Sequence, residues 1–232
     1  MGKKNNVRHR FMTKKIITML QLKDDDVVLH VGPRDGYLLE LIHSLVKECH
    51  AVERSRIVVK KLTSRFHRIP NILVQEVRSM NLPYPRGYFT KVVFDELGVY
   101  AHSELEIRTL LDELRRVSSD QVLMFIGGVP MDQEESIRRR MEEGPASWWE
   151  RLWVGTQAIF RAPEETEPPL VISEDQFRSI CRQYGLHAEP MRIEITHAFS
   201  TQHNDFLVSF AEQPTKQFPI HTAGGSHATT GS

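Results

Sequence analysis

Short apolar runs that alternate with helix-like segments constrain this chain more than any other feature of its sequence. Five such runs predict strands, namely Val27–Val31, His50–Val52, Asn71–Val77, Lys91–Phe94 and Gln121–Ile126. Helical periodicity is found in four segments, Phe11–Leu22, Tyr37–Val46, Ser55–Phe66 and Glu104–Val117. This alternation predicts right-handed βαβ units and an α/β fold with a doubly wound, mostly parallel sheet.

The C-terminal part of the domain follows a different pattern. Ser173 and Gln176 have capping-box spacing, which predicts a helix that ends near Gly185. Two further apolar segments, Met191–Ala198 and Asp205–Phe210, predict strands that form an antiparallel hairpin. The complete sheet is therefore expected to have seven strands and to end in this hairpin.

We divide the chain into a basic arm with the first helix (1–23), a main domain (24–212) and a disordered polar tail (213–232). The arm has seven Lys or Arg residues and no acid before Asp24. Three interpretations stay open: contact with phosphates, which makes RNA a candidate partner, a basic targeting segment, or a solvated arm leading into a surface helix.

Residues 131–169 form an insertion in the main domain that is first charged, then aromatic, then rich in acids and prolines. Its three tryptophans, Trp148, Trp149 and Trp153, lie within six residues. Aromatic side chains of this kind commonly anchor one segment on another. The alternatives are that residues 148–153 form a lid over a substrate or a surface that binds a partner.

Composition restricts the class of protein. No apolar run reaches the length of a membrane span. The two cysteines, Cys49 and Cys181, are far apart, and no CxxC or Cys/His cluster has metal-ligand spacing, so we expect no metal site. A reducing intracellular setting follows, with the cytoplasm as the expected location and organellar targeting by the basic arm as the alternative. The net charge of zero gives no global argument for nucleic-acid binding.

A glycine loop after the first predicted strand is the first candidate binding element. Gly32 and Gly36 bound a loop that opens a helix, where backbone N–H groups attract polar ligands. Glu53 follows the second strand, the position from which an acid accepts hydrogen bonds from ribose hydroxyls. The loop lacks G-x-G-x-x-G spacing, which argues against an oxidoreductase that uses a nicotinamide cofactor.

The order of motifs resembles that of one enzyme family. "VLHVGPRDG", "AVERS", "NILVQEVRSMNLPYPRGYFTKVVF" and "LLDELRRVSSDQVLMFI" follow one another as in class I S-adenosylmethionine-dependent methyltransferases, and most closely the UbiE-like branch. The resemblance covers about Leu22–Ala211. It implies a Rossmann-like methyltransferase fold, S-adenosylmethionine as the cofactor and methyl transfer as the reaction. The cofactor-binding candidates that follow are His30, Gly32, Asp35, Gly36, Glu53, Glu76, Arg78 and Phe94.

The sequence departs from the family pattern at four places. Arg34 replaces the middle glycine of the loop, which makes the cofactor motif degenerate, and His30 replaces the acid before it. Val77 stands where the acid after the third strand is expected, between Glu76 and Arg78. Phe89-Thr90 replaces a Phe-Asp pair. A side chain at Arg34 must point away from the cofactor or fill its site.

Candidate catalytic groups follow the fourth predicted strand, in "FDELGVYAH". Methyl transfer needs alignment of donor and acceptor and the exclusion of water, and a base only when the acceptor loses a proton. Asp95 is the first candidate because it leaves the strand directly, and His102 is the second. A helix-capping or surface role is the structural alternative for His102.

Two functions remain open on the sequence. The chain is either a methyltransferase with an unspecified acceptor or a non-catalytic methyltransferase-fold scaffold, an assembly or RNA-associated binding module. An open pocket past Arg34, faced by Glu53 and Asp95, favours the enzyme. A filled pocket together with an exposed patch of Trp148, Trp149 and Trp153 favours the module.

Overall fold

Seven strands form one sheet in the part of the chain that the computed structural model describes, residues 13–79, 81–131, 170–191 and 204–210. The strands are β1 (Val27–Val31), β2 (Glu48–Glu53), β3 (Ile72–Glu76), β4 (Phe89–Phe94), β5 (Ser118–Val129), β6 (Leu186–Pro190) and β7 (Asn204–Phe210). Residues 1–12 of the basic arm, the tryptophans of the insertion and the polar tail lie outside the described residues.

The strand order is β3-β2-β1-β4-β5-β7-β6. Strands β1 to β5 pair in parallel, whereas β7 runs antiparallel to both β5 and β6. The predicted doubly wound sheet with an antiparallel pair at its end is confirmed. Chain order reverses between β1 and β4, and ligands of such sheets bind in the crevice outside the carboxyl ends of the strands at this switch point.

The sixth strand of the sheet lies before the segment that was predicted for it. We expected Met191–Ala198, but β6 spans Leu186–Pro190, and residues 192–200 lie outside the described part. Gly185 has a φ of 70° and turns the chain directly from helix into strand. Leu186 and Ala188 then point into the core with a period of two. Pro190, which ends the strand on the sheet edge, obscured this pattern.

Six helices cover the sheet within the described ranges. They are α1 (residues 13–20), α2 (Tyr37–Ile42), α3 (Arg56–Phe66), α4 (Leu97–Tyr100), α5 (Glu104–Val117) and α6 (Glu174–Gln183). Helix α2 ends at Ile42 rather than at the predicted Val46. The short helix α4 was not predicted. The fifth strand is longer than the predicted Gln121–Ile126, because β5 starts at Ser118 and ends at Val129.

Both faces of the central strand are buried. Val27, Leu29 and Val31 of β1 belong to a core formed with α4, α5 and α6, and Val28 belongs to a second core formed with α1, α2 and α3. A strand buried on both faces needs a continuous apolar run, which explains the sequence of β1. Within the described ranges, no helix has the length and apolar character needed to cross a bilayer.

Candidate functional site

Two side-chain pairs join the carboxyl ends of β1 and β4 at the switch point. Nε2 of His30 lies 3.1 Å from Oδ2 of Asp95, and Nη1 of Arg34 donates to Oε1 of Glu96 at 2.7 Å. Because β1 and β4 are adjacent and parallel, residues that end them meet at the same edge. The pairs therefore cross the crevice in which the topology places a ligand.

The inner pair positions Asp95. His30 is only 1% exposed, whereas the Asp95 side chain is 19% exposed. A carboxylate only accepts, so the Nε2 of His30 donates the proton. Its Nδ1 has no hydrogen-bond partner among the described residues. The structure thus places Asp95 at the expected edge of the sheet, where its Oδ2 accepts a hydrogen bond from His30.

The outer pair shows where Arg34 points. Its backbone is left-handed, with a φ of 50°, as a glycine would be at this position. The Arg34 side chain is 57% exposed and extends to Glu96. It therefore lies over the rim of the crevice rather than inside it.

The two loop glycines have different roles. Both are left-handed, with φ of 69° at Gly32 and 77° at Gly36. A Cβ on Gly36 would lie 2.7 Å from side-chain carbons of Leu62 and Phe66, so this glycine lets α3 pack against the loop. A Cβ on Gly32 would lie 2.9 Å from the hydroxyl of Tyr100. Gly32 is thus the glycine that faces the candidate site.

Glu53 ends β2 at the same edge of the sheet and is buried. Its Oε1 accepts a hydrogen bond of 2.8 Å from the backbone N–H of Ser55, which is the N-cap of α3. Its charge acts on the Tyr100 phenol and helps to raise the pKa of that group. Glu53 is therefore held in a defined position beside Gly32.

Tyr100 fills the space between the loop and Glu53. The phenol is 6% exposed, and the Phe94 ring packs edge-on against it with centroids 5.2 Å apart. The Arg54 guanidinium lies 4.7 Å from the ring centroid. Burial, and then the charge of Glu53, raise the pKa of the Tyr100 phenol above its usual range. The hydroxyl therefore keeps its proton at neutral pH.

Sequence reasoning did not select Tyr100 as a site residue. The residue ends a four-residue helix, α4, that carries no periodic signal. The signal that was available is its place six residues after the end of β4, in a segment already interpreted as the strand exit. Phe94, which was selected, is fully buried, and its ring packs against that of Tyr100.

The other predicted residues lie around the cluster with local roles. Asp35 accepts a hydrogen bond of 3.0 Å from the backbone N–H of Tyr37 at the start of α2. Glu76 is in register with Glu53 across β2 and β3 and pairs with Arg78 at 3.3 Å, but the Arg78 side chain is 87% exposed. His102 is exposed, and its backbone N–H donates to Glu106 at the start of α5. That position matches the structural alternative for His102.

Known structures share this architecture. A SAM-dependent methyltransferase from Aquifex aeolicus superposes with a TM-score of 0.55 and 16% identity over 84% of this chain and 87% of its own. The N-methyltransferase NodS from Bradyrhizobium japonicum WM9 gives a TM-score of 0.60 and 13% identity over 90% and 98%. No protein-family model and no curated protein matches the chain by sequence. The chain has the class I methyltransferase fold.

A third structure with the methyltransferase fold was determined with a protein partner. It comes from a complex of the Haloferax volcanii Trm112 methyltransferase activator, and it gives a TM-score of 0.61 and 14% identity over 88% of this chain and 90% of its own. At identities of 13 to 16%, these likenesses establish the fold.

The methyltransferase fold implies a nucleoside cofactor. The residues of this chain fit such a cofactor if the Tyr100 side chain moves away. Gly32 allows close approach to the backbone, and Glu53 offers a buried carboxylate to ribose hydroxyls. The Tyr100 hydroxyl lies in the space in front of Gly32, and the charge of Glu53 acts on the same phenol. Gly32 and Glu53 therefore become available to the cofactor once the Tyr100 side chain leaves. Among the described residues, no three His, Cys, Asp or Glu side chains are grouped as metal ligands.

Proposed function

We propose that this chain binds S-adenosylmethionine between Gly32 and Glu53 and transfers its methyl group to an acceptor. The observation that carries the proposal is the left-handed Gly32 beside the buried Glu53 carboxylate, at the switch point of a methyltransferase-fold sheet. The motif order that resembles the UbiE-like branch supports the same proposal.

The chain's own residues have separable roles in this proposal. Glu53 accepts hydrogen bonds from the ribose hydroxyls, and Gly32, which has no side chain, lets the cofactor approach the backbone of the loop closely. When bound, S-adenosylmethionine supplies an electrophilic methyl group. Asp95, oriented by His30, is the group that takes a proton when the acceptor must lose one. His102 is a weaker candidate for this role because it lies at the start of α5.

A thermal-shift titration tests cofactor binding. A ligand that binds only the folded chain raises its melting temperature as the ligand concentration exceeds Kd. We expect S-adenosylmethionine at millimolar concentration to raise Tm, whereas methionine at the same concentration leaves it unchanged because it cannot reach Glu53 with a ribose. No shift with S-adenosylmethionine would contradict the proposal.

A non-catalytic binding module is the second candidate function. Tyr100 fills the crevice and the Arg34–Glu96 pair crosses its rim, which supports a sheet edge used for assembly rather than for catalysis. The complex of a fold neighbour with the Trm112 activator supports a protein as the partner. In a further version of this second candidate, the module binds RNA through the basic arm, residues 1–23. Its binding should weaken steeply as salt rises, and salt-independent binding would argue against it.

A further inference from the structure

We propose that helix α3 and the turn after it form a docking surface for nucleic acid, whose phosphate backbone they contact. The surface consists of Arg56, Lys60, Lys61 and Arg68, and we call it the basic surface. The inference goes beyond the proposed function, because it does not depend on whether the chain binds S-adenosylmethionine.

The first argument is the segregation of charge along the sequence. Between Glu53 and Glu76 the chain has six Lys or Arg residues and no Asp or Glu, although its formal net charge is zero. Helix α3, with the sequence RIVVKKLTSRF, contains four of the six. Positive charge is therefore concentrated on one helix, and such a concentration attracts polyanions.

The second argument is that these cations are available to an external partner. All four side chains of the basic surface are exposed, and none forms an ion pair with another residue of the described ranges. Arg65, the remaining cation of α3, pairs with Glu40. The helices on the other face of the sheet neutralise their own charges through the pairs Glu104–Arg108, Glu113–Arg116 and Glu174–Arg178. Helix α3 has no acid with which to do so.

The third argument is that the basic surface is held rigidly and has a suitable length. Leu62 and Phe66 are buried in the core with α1 and α2, so they fix the opposite side of the helix. Arg56 and Lys60 are four residues apart and lie on one row of the solvent side. The eleven residues of α3 extend over about 16 Å. One strand of a duplex carries about five phosphates over that distance.

The packing of α3 favours nucleic acid over a membrane surface. A helix that lies in a bilayer interface inserts a free apolar face among the lipids. In α3 that face is already buried in the core, and Ile57 is the one large apolar side chain of this helix that is exposed. The solvent side of α3 therefore offers charge without an apolar face.

The basic surface is continuous with the candidate site. Ser55, the N-cap of α3, donates its backbone N–H to Glu53 at 2.8 Å. Arg65 donates to the backbone carbonyl of Asp35 in the glycine loop at 2.6 Å. A nucleic acid bound along α3 therefore lies beside the crevice at the carboxyl ends of β1 and β2.

Fluorescence anisotropy with a labelled single-stranded RNA tests the inference in the full chain, at salt concentrations from about 50 to 200 mM. Each phosphate contact to a single strand contributes about 0.7 to the slope of log K against log salt. We expect Arg56→Gln/Arg68→Gln to make this slope shallower by about 1.4 and to weaken binding about tenfold or more at the lowest salt. Lys60→Gln/Lys61→Gln should have the same effect.

Arg178→Gln/Arg182→Gln is the matched control, because it removes the same two charges from α6 on the other face of the sheet. Its affinity and salt slope should equal those of the wild type. Equal losses in the control and the α3 variants would mean that net charge alone matters, and the inference would fail.

Three further results would overturn the inference. The first is a wild type that does not bind RNA at micromolar protein concentration. The second is RNA binding that persists unchanged in both α3 variants, which would assign the binding to another part of the chain. The third is sedimentation with phosphatidylserine vesicles in the absence of RNA binding, which would make the partner a lipid surface. None of these results bears on S-adenosylmethionine binding, so the proposed function is tested separately.

Discussion

Arg34 is the residue at which the candidate site departs most from a glycine-lined loop. A left-handed backbone costs a non-glycine residue roughly 1–2 kcal/mol. The exposed ion pair with Glu96 returns at most about 1 kcal/mol. The side chain nevertheless points to the rim and leaves the Gly32 face free for another group. Its effect on a cofactor is therefore electrostatic rather than steric.

Removal of the Arg34 charge should change the preference between two related ligands. S-adenosylmethionine carries a positive sulfonium, and S-adenosylhomocysteine has a neutral sulfur in its place. We expect Arg34→Asn, which tolerates the left-handed backbone, to increase affinity for S-adenosylmethionine by roughly two- to fivefold at low salt. Affinity for S-adenosylhomocysteine should stay the same. Calorimetry with both ligands measures the ratio, and equal gains for both would contradict a charge effect.

Some residues of the candidate site were predictable and others were not. Gly32, Glu53 and Asp95 follow apolar runs, and the carboxyl ends of parallel strands meet at one edge, so the sequence places them together. The contact of Tyr100 with Gly32 depends on the direction of a short helix, which no periodicity encodes. Arg78 follows a strand as well, but its side chain turns into solvent.

At the scale of elements, α5 holds the loop that joins β3 to β4. The Glu113 carboxylate accepts a hydrogen bond of 2.6 Å from the backbone N–H of Leu82. Arg116 donates to the carbonyl oxygens of Leu82 and Tyr84, both at 2.8 Å, and pairs with Glu113. Two side chains on successive turns of one helix thus satisfy the backbone of the loop.

Glu113→Ala should lower the free energy of unfolding by about 2 kcal/mol, because the N–H of Leu82 loses its acceptor. Urea denaturation measures the change. Glu104→Ala is the control: its exposed pair with Arg108 lies on the same helix and should contribute less than about 1 kcal/mol. Equal effects of the two substitutions would contradict the role of Glu113.

The stabilisation by Glu113 should depend on pH. The hydrogen bond from Arg116 holds the pKa of the Glu113 carboxyl below its ordinary value of 4.5. A group with a lowered folded-state pKa stabilises the fold above its ordinary pKa and stops doing so as the pH falls through the folded value. The difference in unfolding free energy between the wild type and Glu113→Gln should therefore be constant near neutral pH and shrink below about pH 4. A difference that persists in acid would contradict this assignment.

The elements themselves were predictable where the pattern was long or fully apolar. The face of α5 that includes Ile107, Leu110 and Leu114 is completely buried, as its periodicity predicts. The bounds of β6 were not predictable, since the segment after Gly185 has no continuous apolar run and ends on a proline.

At the scale of the whole molecule, each of the two cores contains one of the two cysteines. Cys49 lies on β2 in the core with α1, α2 and α3, and Cys181 lies on α6 in the other core. Both are fully buried and neither is in a disulfide. Burial raises the pKa of each thiol to about 12.

Because the thiolate is the reactive form, neither cysteine should react with a thiol-specific chromophoric reagent while the chain is folded. We expect no rapid labelling at pH 8 and complete labelling of both thiols in urea. Cys49→Ser and Cys181→Ser assign each signal. Rapid labelling of either thiol in the folded protein would contradict the burial of that core.

The central claim concerns the whole sheet edge: a nucleoside cofactor binds between Gly32 and Glu53. Calorimetric titration of S-adenosylmethionine into Glu53→Gln and Glu48→Gln tests it most directly, because the two substitutions are identical and lie at opposite ends of β2. We predict that Glu53→Gln weakens binding about tenfold or more, since a charged acceptor of the ribose hydroxyls is lost. Glu48→Gln should bind as the wild type does. Equal affinities of the two variants would contradict the claim.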